Sequence, residues 1–216
     1  GEDVSTKVAK RKEIHGTGPV RYRVAEDSGK SGSLSIAVDY ANAPVPQHYY
    51  VADYFYVENL GPQILFVFGK FDHPKQDQLR TKLEIYFPAM FFIKQLWKSS
   101  RAFHGALREY INEFDYPVVT PGENTIVADK VQTVHSNNVL MVHTSGECMV
   151  DFFYLSPRDV ALKPRKKQNL ELEAQVRVIV PVTLLLGFLD ACEPIVQLLA
   201  PKFVTEEEDD DNLESA

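Results

Sequence analysis

The sequence predicts an α+β protein, a tandem duplication of a four-stranded antiparallel sheet plus helix, packed as a pseudo-twofold pair. Two observations carry this expectation. Leu83–Leu96 reads LEIYFPAMFFIKQL and Val176–Leu189 reads VRVIVPVTLLLGFL, so an alternating apolar run meets a proline and then a helical apolar run twice, 93 positions apart. The stretch ahead of each junction repeats as well: QILFVFGKF (63–71) overlays on ECMVDFFYL (147–155). An apolar strand, a proline and an apolar helix can also resemble one another by chance, and the shared order of elements is what favours a repeat.

At 216 residues the chain has room for one large domain or two small ones, and its 44% hydrophobic and 25% charged residues are those of a globular protein. The net charge of −7 comes from one place. Glu206, Glu207, Glu208, Asp209, Asp210, Asp211 and Glu214 supply it, leaving a neutral body with no basic field of the kind a duplex-DNA binder carries. The two cysteines, Cys148 and Cys192, have no CxxC or metal-ligand spacing, which argues against a disulfide scaffold or a zinc module. The charged start of the chain lacks the apolar stretch of a secretory leader. The apolar run Val178–Leu189 is shorter than the roughly 18 residues a bilayer span needs. A cytoplasmic, non-membrane protein is the expectation.

Taken in order, residues 1–33 carry basic clusters at Lys7–Lys12 and Arg21–Arg23 and the run SGKSGS, and read as a flexible basic arm. The first β4α unit is placed at 34–116. Leu34, Ile36 and Val38 alternate with Ser35, Ala37 and Asp39 as a half-buried strand would, and NAPVP at 42–46 ends it. HYYVADYFYVE (48–58), the turn NLGP and QILFVFGKF (63–71) read as a hairpin. TKLEIYF is the fourth strand. Pro88 then opens an amphipathic helix of about six to seven turns, with Phe92, Leu96, Phe103, Leu107 and Tyr110 or Ile111 on one face.

The second unit, 117–203, has a short strand near Ile126–Val134, a hairpin about Ser145-Gly146, a strand at 170–180 and a helix from Pro181 that Pro194 kinks or ends early. Residues 204–216 read as a disordered acidic tail. A sheet backed by one helix leaves its other face to be covered, and both faces of QILFVFGKF are apolar. The sister unit is the first candidate for that cover, and a second copy of the chain is the next.

For chemistry the chain offers little. It has no phosphate-binding glycine loop, GxSxG or HExxH. His143 and Cys148 would face one another across the Ser145-Gly146 hairpin, but no third residue orients them and their neighbours Val139, Met141, Val150 and Phe152 are apolar. Asp151, Glu84 and Arg177 read as edge or solvent-facing positions. No catalytic, metal or cofactor-binding residues are assigned, and the expectation is not an enzyme. The candidate binding surface combines Tyr54, Tyr56, Phe66 and Phe68 with the basic loop Lys163, Arg165, Lys166 and Lys167, since stacking rings beside cations are the ingredients of a single-strand binder. Aromatic strand residues are more often core, and charge runs are more often solvated.

The second unit, SNNVLMVHTSGECMVDFFYLSP followed by AQVRVIVPVTLLLGFLDA, resembles a family of small bacterial proteins whose pattern is a hairpin ending near EFVLDF and then RVxxxP opening a helix. Glu147, Asp151, Phe152, Arg177 and Pro181 carry the resemblance. The first unit keeps Phe68 and Pro88, with Val67 and Glu84 where Asp151 and Arg177 stand. The order of elements alone is similar to the PUR and Whirly proteins, which implies single-stranded nucleic acid as a ligand, and to the export chaperone SecB, which implies unfolded polypeptide. The leading expectation is a non-catalytic interaction or scaffold protein with a protein partner, using sheet surfaces and charged tails. Single-stranded nucleic-acid binding comes second and polypeptide chaperoning third.

Overall fold

The computed structural model describes residues 13–16, 20–25, 31–36, 42–71, 78–117, 125–144, 147–163 and 170–214, with the backbone path alone for 13–16, 20–25, 31–36, 78–79, 94–96, 98–99, 125–129 and 203–214. The strands are β1 (Glu13–Gly16), β2 (Val20–Ala25), β3 (Ser31–Ile36), β4 (Tyr49–Val51), β5 (Tyr54–Asn59), β6 (Gln63–Phe71), β7 (Gln78–Pro88), β8 (Thr125–His135), β9 (Asn138–Thr144), β10 (Glu147–Tyr154) and β11 (Glu173–Pro181). They form a four-stranded sheet I in the order β5-β6-β7-β8, a five-stranded sheet II in the order β1-β9-β10-β11-β4, and the ribbon β2-β3. The helices are α1 (Ala89–Phe91), continued by a π-helical turn at Phe92–Trp97 and by α2 (Lys98–Glu113), then α3 (Pro157–Leu162) and α4 (Val182–Glu214).

The α+β class holds, but the sheets are mixed rather than antiparallel. β8 runs parallel to β7 and β4 runs parallel to β11, while every other pair is antiparallel. The cause lies in the run 48–58, which the sequence reads as one strand. It breaks after Val51, and its halves enter different sheets. Ala52, 1% exposed, donates its N–H to Ile179 O in sheet II (3.0 Å), and the next residue, Asp53, donates to Gly69 O in sheet I (3.1 Å). The Asp53 carboxylate also accepts the Phe71 N–H at 2.8 Å. Two consecutive residues thus satisfy their backbone groups in two sheets, as a buried crossing must. The passage from β8 to β9 is built alike: Ser136 N–H donates to Tyr86 O (3.0 Å) and Asn137 N–H to Phe153 O (3.1 Å).

The meanders β5-β6-β7 and β9-β10-β11 pair in matching registers. Phe55 faces Phe68 and Phe68 faces Leu83; Val139 faces Phe152 and Phe152 faces Val176. Each meander shifts register immediately after that central phenylalanine, at Phe68/Gly69 and at Phe152/Phe153. The parallel strands match too, Tyr50 lying beside Val178 and Val134 beside Ile85.

Other elements depart from expectation. The strand placed at Leu34–Tyr40 is β3, Ser31–Ile36, and it pairs with β2 rather than joining sheet I; residues 37–41 lie outside the described ones. Part of the arm at 1–33 is strand: Glu13–Gly16 forms an edge of sheet II against β9. α4 continues through Pro194 and Pro201 to Glu214, so the backbone of 204–214 is helical where disorder is expected. Both prolines are exposed, and the carbonyls that lose their donors can take water instead. This extension also lets Val182–Lys202 reach the length and apolarity of a membrane span, with a mean hydropathy of 1.6 and 56% of the window buried.

That burial is core. The inner faces of both sheets, α2 and α4 share one apolar cluster. Phe188 of α4 is its hub, with ring centroids 5.7 Å from Phe55, 5.1 Å from Phe66 and 5.5 Å from Phe68. Sheet II answers through Phe152, 6.4 Å from Phe66. Along α2, Phe103, Leu107 and Ile111 are buried at the helical spacing the sequence shows. A smaller cluster of Phe153, Leu155, Val160 and Leu172 seats α3 beside sheet II, and the Ser156 side chain caps that helix at Asp159 N–H.

Candidate functional site: the outer face of sheet II

The expected aromatic platform is not on the surface. Phe66 and Phe68 are 1% and 4% exposed against Phe188, and Tyr54 is 6% exposed. Alternation explains the two phenylalanines: Ile64, Phe66 and Phe68 share the inner face of β6 with Leu83, Ile85 and Phe87 of β7, whereas Tyr54 shares the face of Tyr56 and meets Phe71 edge-on. Of that quartet Tyr56 alone reaches solvent, at 38%. Lys163, at the end of α3, is held by Asp159 at 3.2 Å, and α3 sits with sheet II whereas Tyr56 belongs to sheet I. Arg165, Lys166 and Lys167 lie outside the described residues.

His143 and Cys148 do face one another, β9 against β10. Both are buried, and the imidazole ring lies 4.8 Å from Tyr110 of α2. Burial, with a smaller push from the Glu147 charge, drives the Cys148 thiol up to about 12, so it stays protonated near neutral pH and lacks the thiolate a nucleophile needs. Cys192 is buried and shifted upward for the same reason. Among the described residues no group of three or more His, Cys, Asp or Glu could hold a metal ion. The densest polar contact in the helical layer joins α2 to α4: Asp190 Oδ1 takes His104 Nε2 at 2.7 Å and Arg108 Nη2 at 2.6 Å.

The outer face of sheet II is of a different kind. One row across it reads Val51, Ile179, Met149, Val142 on β4, β11, β10 and β9 in turn, and the backbone register continues to position 14 of β1. The adjacent row reads Tyr49, Arg177, Asp151, Leu140, Gly16. Tyr49 and Val51 are 67% and 45% exposed, while Ile179, Met149, Val142 and Leu140 are half-buried.

In the middle of these apolar side chains Arg177 grips Asp151 with Nε to Oδ1 at 2.8 Å and Nη2 to Oδ2 at 3.0 Å. Asp151 is 3% exposed, which corrects its reading as solvent-facing, while Arg177 is partly exposed, with 26% of its side chain reaching solvent. A carboxylate buried to this degree needs a bidentate partner, and β11 supplies one directly opposite. That hydrogen bond, with the Asp151 charge, raises the Arg177 pKa above its ordinary value against the opposing effect of burial.

Sequence reasoning groups Tyr49 with the aromatic strand residues of a nucleic-acid platform and misses Val51, Met149 and Ile179 as its neighbours on an apolar face. The signal was present in β11, where Val176, Val178 and Val180 alternate with Arg177 and Ile179: an isoleucine on the face opposite three buried valines. Comparison with known proteins gave no match, whether against family models, curated proteins or solved structures.

Proposed function

We propose that this protein is a non-catalytic interaction protein that seats another polypeptide on the outer face of sheet II. The observation that supports it is a contrast within the molecule. Stepping 84 positions along the strand pairs β5-β6 and β9-β10, and 93 along β7 and β11, brings Val142 onto Glu58, Met149 onto Leu65, Ile179 onto Tyr86 and Val51 onto His135. At three of these four sites sheet I carries a polar or amphipathic side chain, Glu58, Tyr86 or His135, where sheet II is aliphatic, and at the fourth the aliphatic Leu65 is buried while Met149 is only half-buried. In this row Val51 is exposed and Ile179, Met149 and Val142 are half-buried; aliphatic area left in water costs roughly 25 cal/mol per Å², and a contiguous patch of it marks a binding surface. The matching registers, register shifts and crossings also favour an origin of the two units by tandem duplication, packed as a pseudo-twofold pair.

The test is a photo-crosslinking amino acid placed at Ile179 and, as the control, at Tyr86 in the intact chain. The reading expects polypeptide adducts from position 179, absent from position 86 and lost on Met149→Glu. Adducts of equal yield from both positions, or none from 179, sink it.

A second reading, single-stranded nucleic acid on sheet I, has one observation in its favour: Tyr86 and His135 stack at 5.6 Å and 28° on its outer face, with exposed Tyr56 on the same sheet. It expects oligonucleotide affinity that falls with salt and with Tyr86→Ala. Binding unchanged by that substitution removes this reading.

A further inference from the structure

The C-terminal end of α2 brings rings and carboxylates to one place. Phe114 closes the helix at φ −98°. Asp115 then takes the left-handed conformation at φ 53°, donating its N–H to Asn112 O (3.2 Å), and Tyr116 donates to Ile111 O (3.1 Å). These are the two bonds of a Schellman turn. The turn folds Tyr116 back, so that its ring lies 6.3 Å from Tyr110 and stacks on Phe114 at 5.7 Å and 20°, with Tyr110 and Phe114 4.9 Å apart.

The cluster does not bury itself: Phe114 and Tyr116 remain 47% and 42% exposed. Next to these residues in the chain, Glu109, Glu113 and Asp115 are all exposed. The nearest cation on the helix, Arg108, is engaged by Asp190.

We propose that this end of α2 binds a cationic side chain, lysine or arginine, from a basic segment of a partner polypeptide. Three independent features attract a cation here and repel an anion. Aromatic faces carry negative potential, three carboxylates lie beside the aromatic residues in the chain, and the negative pole of the helix dipole falls at the same end. The turn itself adds to this. Glycine is the unstrained residue at a left-handed position after a helix, yet the chain places an aspartate there, a local strain of the kind found at binding sites. The site is distinct from the apolar row of sheet II and does not depend on it.

The test uses the full chain and two short acetylated peptides, one carrying three alternating Arg or Lys residues and the other carrying Gln in their place, followed by calorimetry and by the ring signals of Phe114 and Tyr116. The basic peptide binds and the neutral one does not. Asp115→Asn, which keeps a residue tolerant of the left-handed turn, and Glu113→Gln each weaken binding about threefold or more, and Tyr116→Ala about tenfold. Asp115→Gly separates function from folding, since it raises the melting temperature while weakening the peptide. Equal binding of the neutral peptide, no binding by the parent chain, or carboxylate variants that bind like the parent overturn the proposal. So does binding seen only after residues 1–12 are removed, which would assign the surface to the chain's own Lys7–Lys12.

Discussion

Asp53 and Asn137 stand at matching crossings between the two sheets: the carboxylate of one accepts the Phe71 N–H at 2.8 Å, and the amide oxygen of the other accepts the Leu155 N–H at 2.8 Å. Asn137 goes further, donating its Nδ2 to Leu155 O at 2.8 Å, and is 5% exposed. Its Oδ1 also accepts from the buried Asn138 Nδ2 at 2.9 Å, so removing it takes a partner from two buried donors and one buried acceptor at once. Asn137→Ala is expected to cost about 2 kcal/mol or more and Asp53→Ala about 1 kcal/mol, read from urea midpoints at constant slope. Equal costs would mean that the bonds Asn137 makes beyond the Leu155 N–H contribute no more than the remaining contacts of Asp53.

The Asp151–Arg177 pair predicts a non-additive cycle. Arg177→Met alone leaves a nearly fully buried carboxylate without its bidentate partner, at an expected cost of about 3 kcal/mol or more. Asp151→Leu alone strands a guanidinium that is partly exposed and can reach water, so it costs less. The double substitution Asp151→Leu/Arg177→Met is expected to recover most of the loss, because two apolar side chains on facing strands suit the Met149 and Ile179 surroundings. Additive losses in the cycle would show that the two charges are satisfied independently of one another.

How much of this was legible in the sequence follows from which contacts are local. The Pro88 and Pro181 junctions, the buried face of α2 and the two hairpins were legible, because period and turn chemistry are written in consecutive residues. The exchange of β4 and β8 between the sheets was not. Val51-Ala52-Asp53 and His135-Ser136-Asn137 share no pattern beyond a small residue and a short acceptor, and the bonds that define the crossing are to Ile179, Gly69, Tyr86 and Phe153, all distant in the chain. For the same reason Phe66 and Phe68 could not be told from a platform: alternation shows that they share a face, and only α4, more than a hundred residues away, shows that the face is covered. Asp151 was misplaced and its pairing with Arg177 missed because each alone looks solvent-seeking, and only the register of β10 on β11 makes them partners.

Gly69 marks the place where β6 shifts register against β7. A Cβ there would stand 2.2 Å from Arg80 O and 3.0 Å from Arg80 C, and both are backbone atoms that cannot swing aside. Gly69→Ala is therefore expected to destabilise by about 2 kcal/mol or more, with loss of amide protection at Arg80 and Thr81 in hydrogen exchange. A Gly69→Ala protein as stable as the parent would show that the strands separate there at no cost.

The buried thiols set an alkaline limit on stability. In the unfolded chain Cys148 titrates at its ordinary value of 9.0, whereas in the folded protein burial first, and the Glu147 charge second, hold it up to about 12. Below pH 9 both states carry the proton and the thiol contributes nothing to the pH dependence. Above it the unfolded state loses the proton while the folded state keeps it, so stability falls as pH rises from 9 toward 12, by up to about 1.4 kcal/mol per pH unit for each such thiol. Cys192 shifts in the same direction and adds to the slope. Urea unfolding at pH 8 and pH 10.5 is expected to show a smaller alkaline loss for Cys148→Ala/Cys192→Ala than for the parent, although the double variant starts from lower stability because it leaves space in the core. Tyrosine and lysine titrations are common to both proteins and cancel in the comparison. Parallel losses in the two proteins would mean that the thiols become accessible before the chain unfolds, and rapid alkylation of the folded parent at pH 8 would point the same way.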